Sequence, residues 1–187
     1  QMPPGTAILT IAGQPIDIAR ENMVRDNLAK GAEWLLFIDS DTYLPKDAVM
    51  RMLATGFPFI SGLYFAKKPG MKLPCAWVKN KDDGKYWTIN PKENKGLIEV
   101  DAVGMGCCLI HRSIFDRLKQ PWFFWSHDRY CPETNELYQP PFSEDFYFCA
   151  RVRNELKENI ILDMDPRCRH EAVCDIDEEG NIEVSQG

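Results

Sequence analysis

The sequence predicts an α/β fold with a mixed sheet flanked by helices, and three observations support this prediction. Strand-like and helix-like segments alternate over residues 6–54. Short apolar runs bounded by Gly, Pro and Asn then fill residues 58–111, which is typical of strands. A further helical pattern precedes an apolar strand at residues 160–163. Alternation followed by a β-rich half indicates a sheet with parallel and antiparallel strands.

Two strand–helix units are predicted at the start of the chain. Residues 6–12 are predicted to form a strand. Apolar residues at helical spacing from Ile16 indicate a helix that ends near Gly31, because glycine suits the left-handed position after a helix. The continuous apolar run 34–38 is typical of a strand buried on both faces. Pro45 can occupy the first turn of the helix that follows.

The middle of the chain is predicted to be rich in strands. These strands cover residues 58–65, 73–79, 86–90, 97–102 and 106–111. A turn at residues 81–84 joins the second strand to the third. Gly104 and Gly106 mark positions where the backbone bends or another group approaches closely. Ser113 is predicted to cap a short helix.

The last third contains a long segment without a clear period. Residues 120–143 include four Pro and seven aromatic residues, which is long for an idle loop and indicates a functional one. The aromatic run 122–125 either covers an acceptor or forms a small core beneath the loop. A helix from Ser143 to about residue 157 and a strand at residues 160–163 are predicted to follow.

Composition limits the classes of function. The 187 residues predict a single domain over 1–187, with 172–187 as a C-terminal extension or the start of a further segment. A net charge of −6 makes a nucleic-acid partner unfavourable. The longest run free of polar residues, 102–110, is far shorter than a membrane span of roughly 20 residues. With no visible signal peptide, and with several of the seven cysteines in apolar surroundings, we expect a reduced, cytoplasmic protein.

The strongest chemical signal is a pair of aspartates directly after an apolar strand. Asp39 and Asp41 flank Ser40 at the end of the run 34–38. Their carboxylates repel each other unless one is protonated or a cation lies nearby. Carboxylate oxygens suit Mg²⁺ or Mn²⁺, and ligands of α/β sheets bind beyond the carboxyl ends of strands. The alternative is that the two aspartates only cap the next helix or solvate a loop.

Two further groups of residues are candidates for the same site. Glu144 and Asp145 fall in the first turn of a predicted helix, where they either cap the helix or accept a proton from an attacking hydroxyl. His170 follows the strand at residues 160–163, and a neutral imidazole can complete a carboxylate metal site. We expect His111 and His127 to be structural or to face an acceptor rather than to bind metal.

In this order, the segments resemble the GT-A nucleotide-sugar glycosyltransferases, particularly family 2-like members. The resemblance spans roughly residues 6–171 and depends on order and spacing rather than on any single motif. It implies a Rossmann-like GT-A fold, a Mn²⁺ or Mg²⁺ cofactor, a nucleotide-diphosphate sugar donor and an acceptor hydroxyl on a carbohydrate or another molecule.

The resemblance also implies a role for each candidate residue. Asp41 would be a metal ligand, Asp39 a metal or ribose contact, and His170 a possible third metal ligand. Asp145 would be the general base of an inverting transfer, and Glu144 an acceptor contact. Gly104 and Gly106 would line the donor sugar pocket.

One departure from the family and two competing functions accompany this interpretation. Family members have a further strand–helix unit before the aspartate pair, so the domain is expected to be shortened at its N-terminus, with residues 6–15 replacing that unit or the base pocket trimmed. A haloacid dehalogenase-type phosphatase also begins with an apolar strand and two aspartates, but Tyr43 stands where that motif has Thr or Val. A non-catalytic carbohydrate-binding or scaffold domain of the same fold is the other alternative.

Overall fold

The computed structural model describes residues 2–67, 73–126 and 143–171, together with the backbone of residues 174–176 and 182–184. In chain order, the elements are α1 (Ile16–Ala29), β1 (Trp34–Ile38), β2 (Thr42–Tyr43), α2 (Ala48–Thr55), β3 (Phe59–Leu63), β4 (Ala76–Lys79), β5 (Tyr86–Thr88), β6 (Leu97–Val100), β7 (Ala102–Val103), β8 (Cys107–His111), α3 (Arg112–Arg117), α4 (Glu144–Glu155), β9 (Ile160–Arg167), β10 (Arg169–His170), β11 (Cys174–Ile176) and β12 (Ile182–Val184). Within this part of the chain, no helix combines the length and apolar character that crossing a membrane requires.

The main sheet has five strands in the order β1-β8-β3-β9-β6. Only β3 and β9 run parallel, and the other three neighbouring pairs are antiparallel. The sheet is therefore mixed, mostly antiparallel and flanked by helices, which confirms the α/β class. The predicted hairpin is also present, because β4 pairs with β5 and β7 to form a second, three-stranded sheet.

A small pairing between distant segments matters most for the site. β2 pairs with β10, with Thr42 opposite His170. This two-stranded sheet was not predicted, since neither strand is long enough to show an alternating pattern. It brings the segment after β1 beside the segment after β9.

The core lies between the main sheet and helices α3 and α4. Aromatic rings dominate it: Phe148 of α4 stacks on Phe115 of α3 at 5.4 Å and on Phe123 at 4.6 Å between ring centroids. Trp122 is buried in the same cluster, and its Nε1 donates to the carbonyl oxygens of Phe115 and Leu118. Trp122 and Phe123 thus belong to the core, as one of the two interpretations of the aromatic run predicted.

Helix α1 turns a partly polar face inwards. Its buried residues include Asp17, Arg20 and Val24, which share one side of the helix at positions i, i+3 and i+7. The helix ends as predicted, with Gly31 at a φ of 80°. The burial of Arg20 is unusual for an arginine, and its partners, described below, explain it.

Four predictions about the elements were wrong. Pro45 lies before α2 rather than in its first turn, because the helix begins at Ala48 with Asp47 as its N-cap residue. Residues 6–12 are mostly exposed and form no strand. A segment of strand-like composition forms a stable strand only when a neighbouring strand pairs with it, and no described strand pairs with this one. β1 is an edge strand whose burial alternates, with Ile38 exposed, rather than a strand buried on both faces. His111, not Ser113, caps α3, because its side chain accepts a hydrogen bond from the Ser113 N–H.

Candidate functional site

The aspartate pair lies in a tight turn at the carboxyl end of β1. The Asp39 N–H donates to the Gly106 carbonyl oxygen at 3.4 Å, and the Thr42 N–H donates to the Asp39 carbonyl oxygen at 2.9 Å. The Glu171 N–H donates to the carbonyl oxygen of Asp41 at 2.7 Å. These backbone bonds hold the turn against both β8 and the segment after β9.

Asp41 and His170 face each other across this small sheet. His170 Nδ1 lies 2.9 Å from the Phe65 carbonyl oxygen, and its Nε2 lies 3.2 Å from Asp41 Oδ1. A carbonyl can only accept, so Nδ1 carries the proton of that bond. Nε2 of a neutral ring therefore directs its lone pair at a carboxylate oxygen. A proton or a cation shared by the two atoms removes the resulting repulsion.

The other oxygen of Asp41 is paired with a lysine. Lys67 Nζ lies 2.5 Å from Asp41 Oδ2, and both side chains are about one-third exposed. Partial burial raises the pKa of Asp41, but the hydrogen bond from Lys67 and its positive charge lower it, so the pKa lies below its ordinary value. Asp41 is thus held as a carboxylate.

Arg20 links the aspartate turn to the start of α4. Its Nη2 lies 3.1 Å from Asp39 Oδ1, and its Nη1 pairs with Glu144 Oε1. The guanidinium is only 7% exposed, so water does little to screen either contact. One buried cation therefore contacts two carboxylates, and one of them, Glu144, lies 124 positions from Arg20 in the sequence.

Glu144 and Asp145 have different surroundings. Glu144 is 4% exposed, and its Oε2 has no hydrogen-bond partner among the described residues. Burial raises the pKa of Glu144 to about 7, although the charge of Arg20 lowers it. Asp145 is less buried, and its Oδ1 accepts hydrogen bonds from Ser143 Oγ and from the Phe146 N–H. Ser143 precedes the helix as its N-cap residue, as predicted.

Gly104 and Gly106 lie against the ring of Tyr64. A Cβ added at Gly104 would stand 2.1 Å from the Tyr64 hydroxyl, and one at Gly106 would stand 2.9 Å from Tyr64 Cζ. The Gly106 N–H donates to the Tyr64 hydroxyl at 3.1 Å. The same ring packs edge-on against His170, with 5.6 Å between the ring centroids. Both glycines therefore allow the backbone to pack closely against Tyr64. This packing role is independent of any contact that they would make with a bound donor sugar.

Asp41 and His170 fit a divalent cation as a pair. In octahedral coordination with bonds near 2.1 Å, neighbouring ligand atoms stand about 3 Å apart, close to the observed 3.2 Å. Mg²⁺ and Mn²⁺ sites often use few protein ligands and fill the rest with water and substrate phosphates. Within residues 2–67, 73–126 and 143–171, however, no three His, Cys, Asp or Glu side chains form a cluster able to hold a metal ion.

The predicted site residues thus separate into two groups. Asp41 and His170 come together, whereas the side chain of Asp39 contacts Arg20 instead of joining them as a third ligand. Glu144 and Asp145 lie at the start of α4, with Glu144 tied to Asp39 through Arg20. His127 lies outside the described residues, and His111 has the structural role that was expected.

Sequence reasoning missed three residues of this site. Arg20 and Lys67 lie in a helix and a loop where basic residues normally face water, so their spacing gave no sign of a partner. Tyr64 is equally ordinary in a strand-like run. The one available signal was the charge of Arg20. This residue shares the inward face of α1 with Val24, and an arginine buried on such a face needs an acidic partner.

Comparisons with known proteins support the fold but not a family. No protein-family model matches the chain, and no curated protein matches it. Among solved structures, the crystal structure of A197 from STIV is similar, with a TM-score of 0.58 and 16% sequence identity over 94% of this chain and 78% of that chain. At this identity the likeness shows the fold alone: this chain shares its mixed α/β architecture with A197 from STIV.

Proposed function

We propose that this protein is a metal-dependent glycosyltransferase of the GT-A fold, which transfers a sugar from a nucleotide-diphosphate donor to an acceptor hydroxyl with inversion. One observation carries the proposal. Three segments that are distant in sequence meet at the carboxyl end of β1: the aspartate turn, the start of α4 and the residue His170. In this proposal, Asp41 and His170 would bind the cation, and a carboxylate in the first turn of α4 would act on the acceptor.

The donor side of the proposed site is built on Asp41 and His170. Both would hold the Mn²⁺ or Mg²⁺ ion, with Asp41 already a carboxylate and His170 fixed in orientation by the Phe65 carbonyl. When bound, the ion neutralises negative charge that develops on the departing diphosphate. Asp39 is 38% exposed and is fixed by Arg20, so its free oxygen can still accept a ribose hydroxyl or a metal-bound water.

The acceptor side is built on Asp145. Its Oδ1 is held by Ser143 and by the Phe146 N–H, which fixes the direction of the carboxylate. The other oxygen can receive the proton of an attacking hydroxyl. Glu144 is too deeply buried to offer much surface to an acceptor, and we propose that it positions the start of α4 through Arg20.

A thermal-shift series tests the proposal. Ligands that bind only the folded state raise its melting temperature by mass action. We expect one of the UDP-, GDP-, CDP- or TDP-sugars to raise it with Mn²⁺ but not with EDTA. Asp41→Asn should abolish this shift without changing the melting temperature of the free protein. The proposed metal site is wrong if calorimetry finds unchanged Mn²⁺–nucleotide affinity in that variant.

A hydrolysis assay separates this function from its two alternatives. A glycosyltransferase slowly hydrolyses its sugar nucleotide when the metal is present and no acceptor is supplied. A haloacid dehalogenase-type phosphatase would instead cleave a generic phosphate ester such as p-nitrophenyl phosphate. A carbohydrate-binding or scaffold domain would do neither, and saturable binding without turnover would favour it.

A further inference from the structure

Both oxygens of the Asp41 carboxylate are already engaged by side chains of this chain. Lys67 Nζ lies 2.5 Å from Oδ2, and His170 Nε2 lies 3.2 Å from Oδ1. An added divalent cation at Asp41 would meet the ammonium group at close range, where like charges repel strongly. Metal binding at Asp41 therefore requires Lys67 to leave its present position.

Lys67 is able to leave without moving the main chain. The backbone just before it is anchored, since the Ala66 N–H donates to the Leu73 carbonyl oxygen at 2.8 Å and the Phe65 carbonyl accepts from His170. The side chain itself is one-third exposed and ends a flexible four-carbon stem. A rotation of that stem separates the ammonium group from Asp41 while it stays beside the site.

We propose that Lys67 binds the donor diphosphate and exchanges partners when the donor arrives. In the free protein it neutralises Asp41. With metal and diphosphate bound, Asp41 would hold the metal, and the Lys67 ammonium group would pair with a phosphate oxygen in a strong charge-assisted contact. The proposal rests on the proposed function, and it assigns Lys67 a role that neither its sequence position nor the resemblance suggested.

This exchange has a measurable consequence for the order of binding. Without diphosphate, a metal ion would displace Lys67 from Asp41 and leave the ammonium group without a new partner. Metal alone should therefore bind weakly. Metal with diphosphate offers that partner, so the two ligands reinforce each other. The protein would then hold its metal mainly while a nucleotide is present.

Titration calorimetry with base-independent probes tests the exchange. The probes are MnCl₂ alone and MnCl₂ with saturating inorganic pyrophosphate, which carries the diphosphate chemistry without a base or sugar. The test variant is Lys67→Met, which removes the charge and keeps most of the stem. Lys67→Arg retains the charge. Lys85→Met is the matched control, because Lys85 is an exposed lysine in the β4–β5 turn.

The expected result is a pair of opposite changes in one variant. Lys67→Met should bind Mn²⁺ alone about ten-fold more tightly, because the competing charge is gone. It should bind Mn²⁺ with pyrophosphate about ten-fold more weakly, because the phosphate contact is lost. Lys67→Arg should stay close to the wild type in both titrations, and Lys85→Met should change neither. A loss of structure alone would move both affinities in the same direction.

Each of the following outcomes would overturn the exchange. Unchanged Mn²⁺ affinity in Lys67→Met would mean that the lysine does not compete with metal. Pyrophosphate binding that needs Lys67 but no Mn²⁺ would mean that the lysine replaces the metal. If Mn²⁺ binds in an Asp41-dependent way while Lys67→Met changes nothing, only this inference fails. If no variant binds Mn²⁺ with or without pyrophosphate, the proposed metal site fails with it.

Discussion

The guanidinium group of Arg20 joins Asp39 to Glu144. Nη2 lies 3.1 Å from Asp39 Oδ1, and Nη1 pairs with Glu144 Oε1 in a buried contact. The arginine thereby fixes the turn after β1 relative to the first turn of α4. Glu144 Oε2 is buried and has no hydrogen-bond partner within the described part of the chain, so the charge of Arg20 largely sets the environment of this carboxyl group.

Removal of Arg20 should destabilise the protein strongly. Arg20→Met leaves Glu144 buried without its counter-ion, which typically costs about 3 kcal/mol or more. Urea unfolding at pH 8 measures the change in free energy. Arg25→Met on the same helix is the control, since the Arg25 side chain is 58% exposed and the loss of its charge should matter little. Equal stabilities of the two variants would contradict the linking role of Arg20.

The stability difference between wild type and Glu144→Gln should depend on pH. The pKa of Glu144 is about 7 in the folded protein against an ordinary 4.5, so the folded state binds this proton more tightly. Its contribution is fully present below pH 4.5 and is lost as pH rises through about 7. The wild type should therefore lose about 3 kcal/mol relative to Glu144→Gln between those limits.

Chemical denaturation of both proteins from pH 4 to 8 measures this difference. Arg20→Met should extend the loss to higher pH, because Arg20 is the charge that lowers the pKa of Glu144. A difference that stays constant across the range would show that Glu144 ionises as it does in the unfolded chain.

Asp145 and Glu144 should separate in kinetic assays with an active donor and acceptor. Asp145→Asn should lower the turnover number by about 10²-fold or more while donor binding persists, as expected for loss of a general base. Glu144→Gln should retain a higher turnover number than Asp145→Asn, because the glutamine keeps a hydrogen-bonding group beside Arg20. NMR analysis of the product tests the stereochemistry, and a retained anomeric configuration would exclude Asp145 as this base.

The close contact between Gly104 and Tyr64 should be visible in a double-mutant cycle. Gly104→Ala places a methyl group 2.1 Å from the Tyr64 hydroxyl, and the buried ring cannot swing away, so we expect a loss of about 2 kcal/mol. Tyr64→Phe removes the acceptor of the Gly106 N–H and should cost about 1 kcal/mol. The double variant should be more stable than the sum of both losses predicts, because the clashing hydroxyl is absent. Additive losses would contradict the contact.

The local elements of this chain could be predicted from the sequence because their signals are local. Apolar spacing and Gly31 define α1, and the run 34–38 followed by Asp39 and Asp41 defines β1 and its acidic turn. Ser143 similarly marks the start of α4. Each of these features depends on backbone preferences and on burial within a few residues, which periodicity and capping rules describe.

Only the tertiary structure decided which of these elements touch. Residues 6–12 have strand composition but no described partner, and β1 lies at the edge of the main sheet, where it pairs with β8. The pairing of β2 with β10 sets His170 against Asp41, and the packing of α1 sets Arg20 between Asp39 and Glu144. Contacts of this kind depend on how distant segments share one core, so no pattern within a single segment reports them.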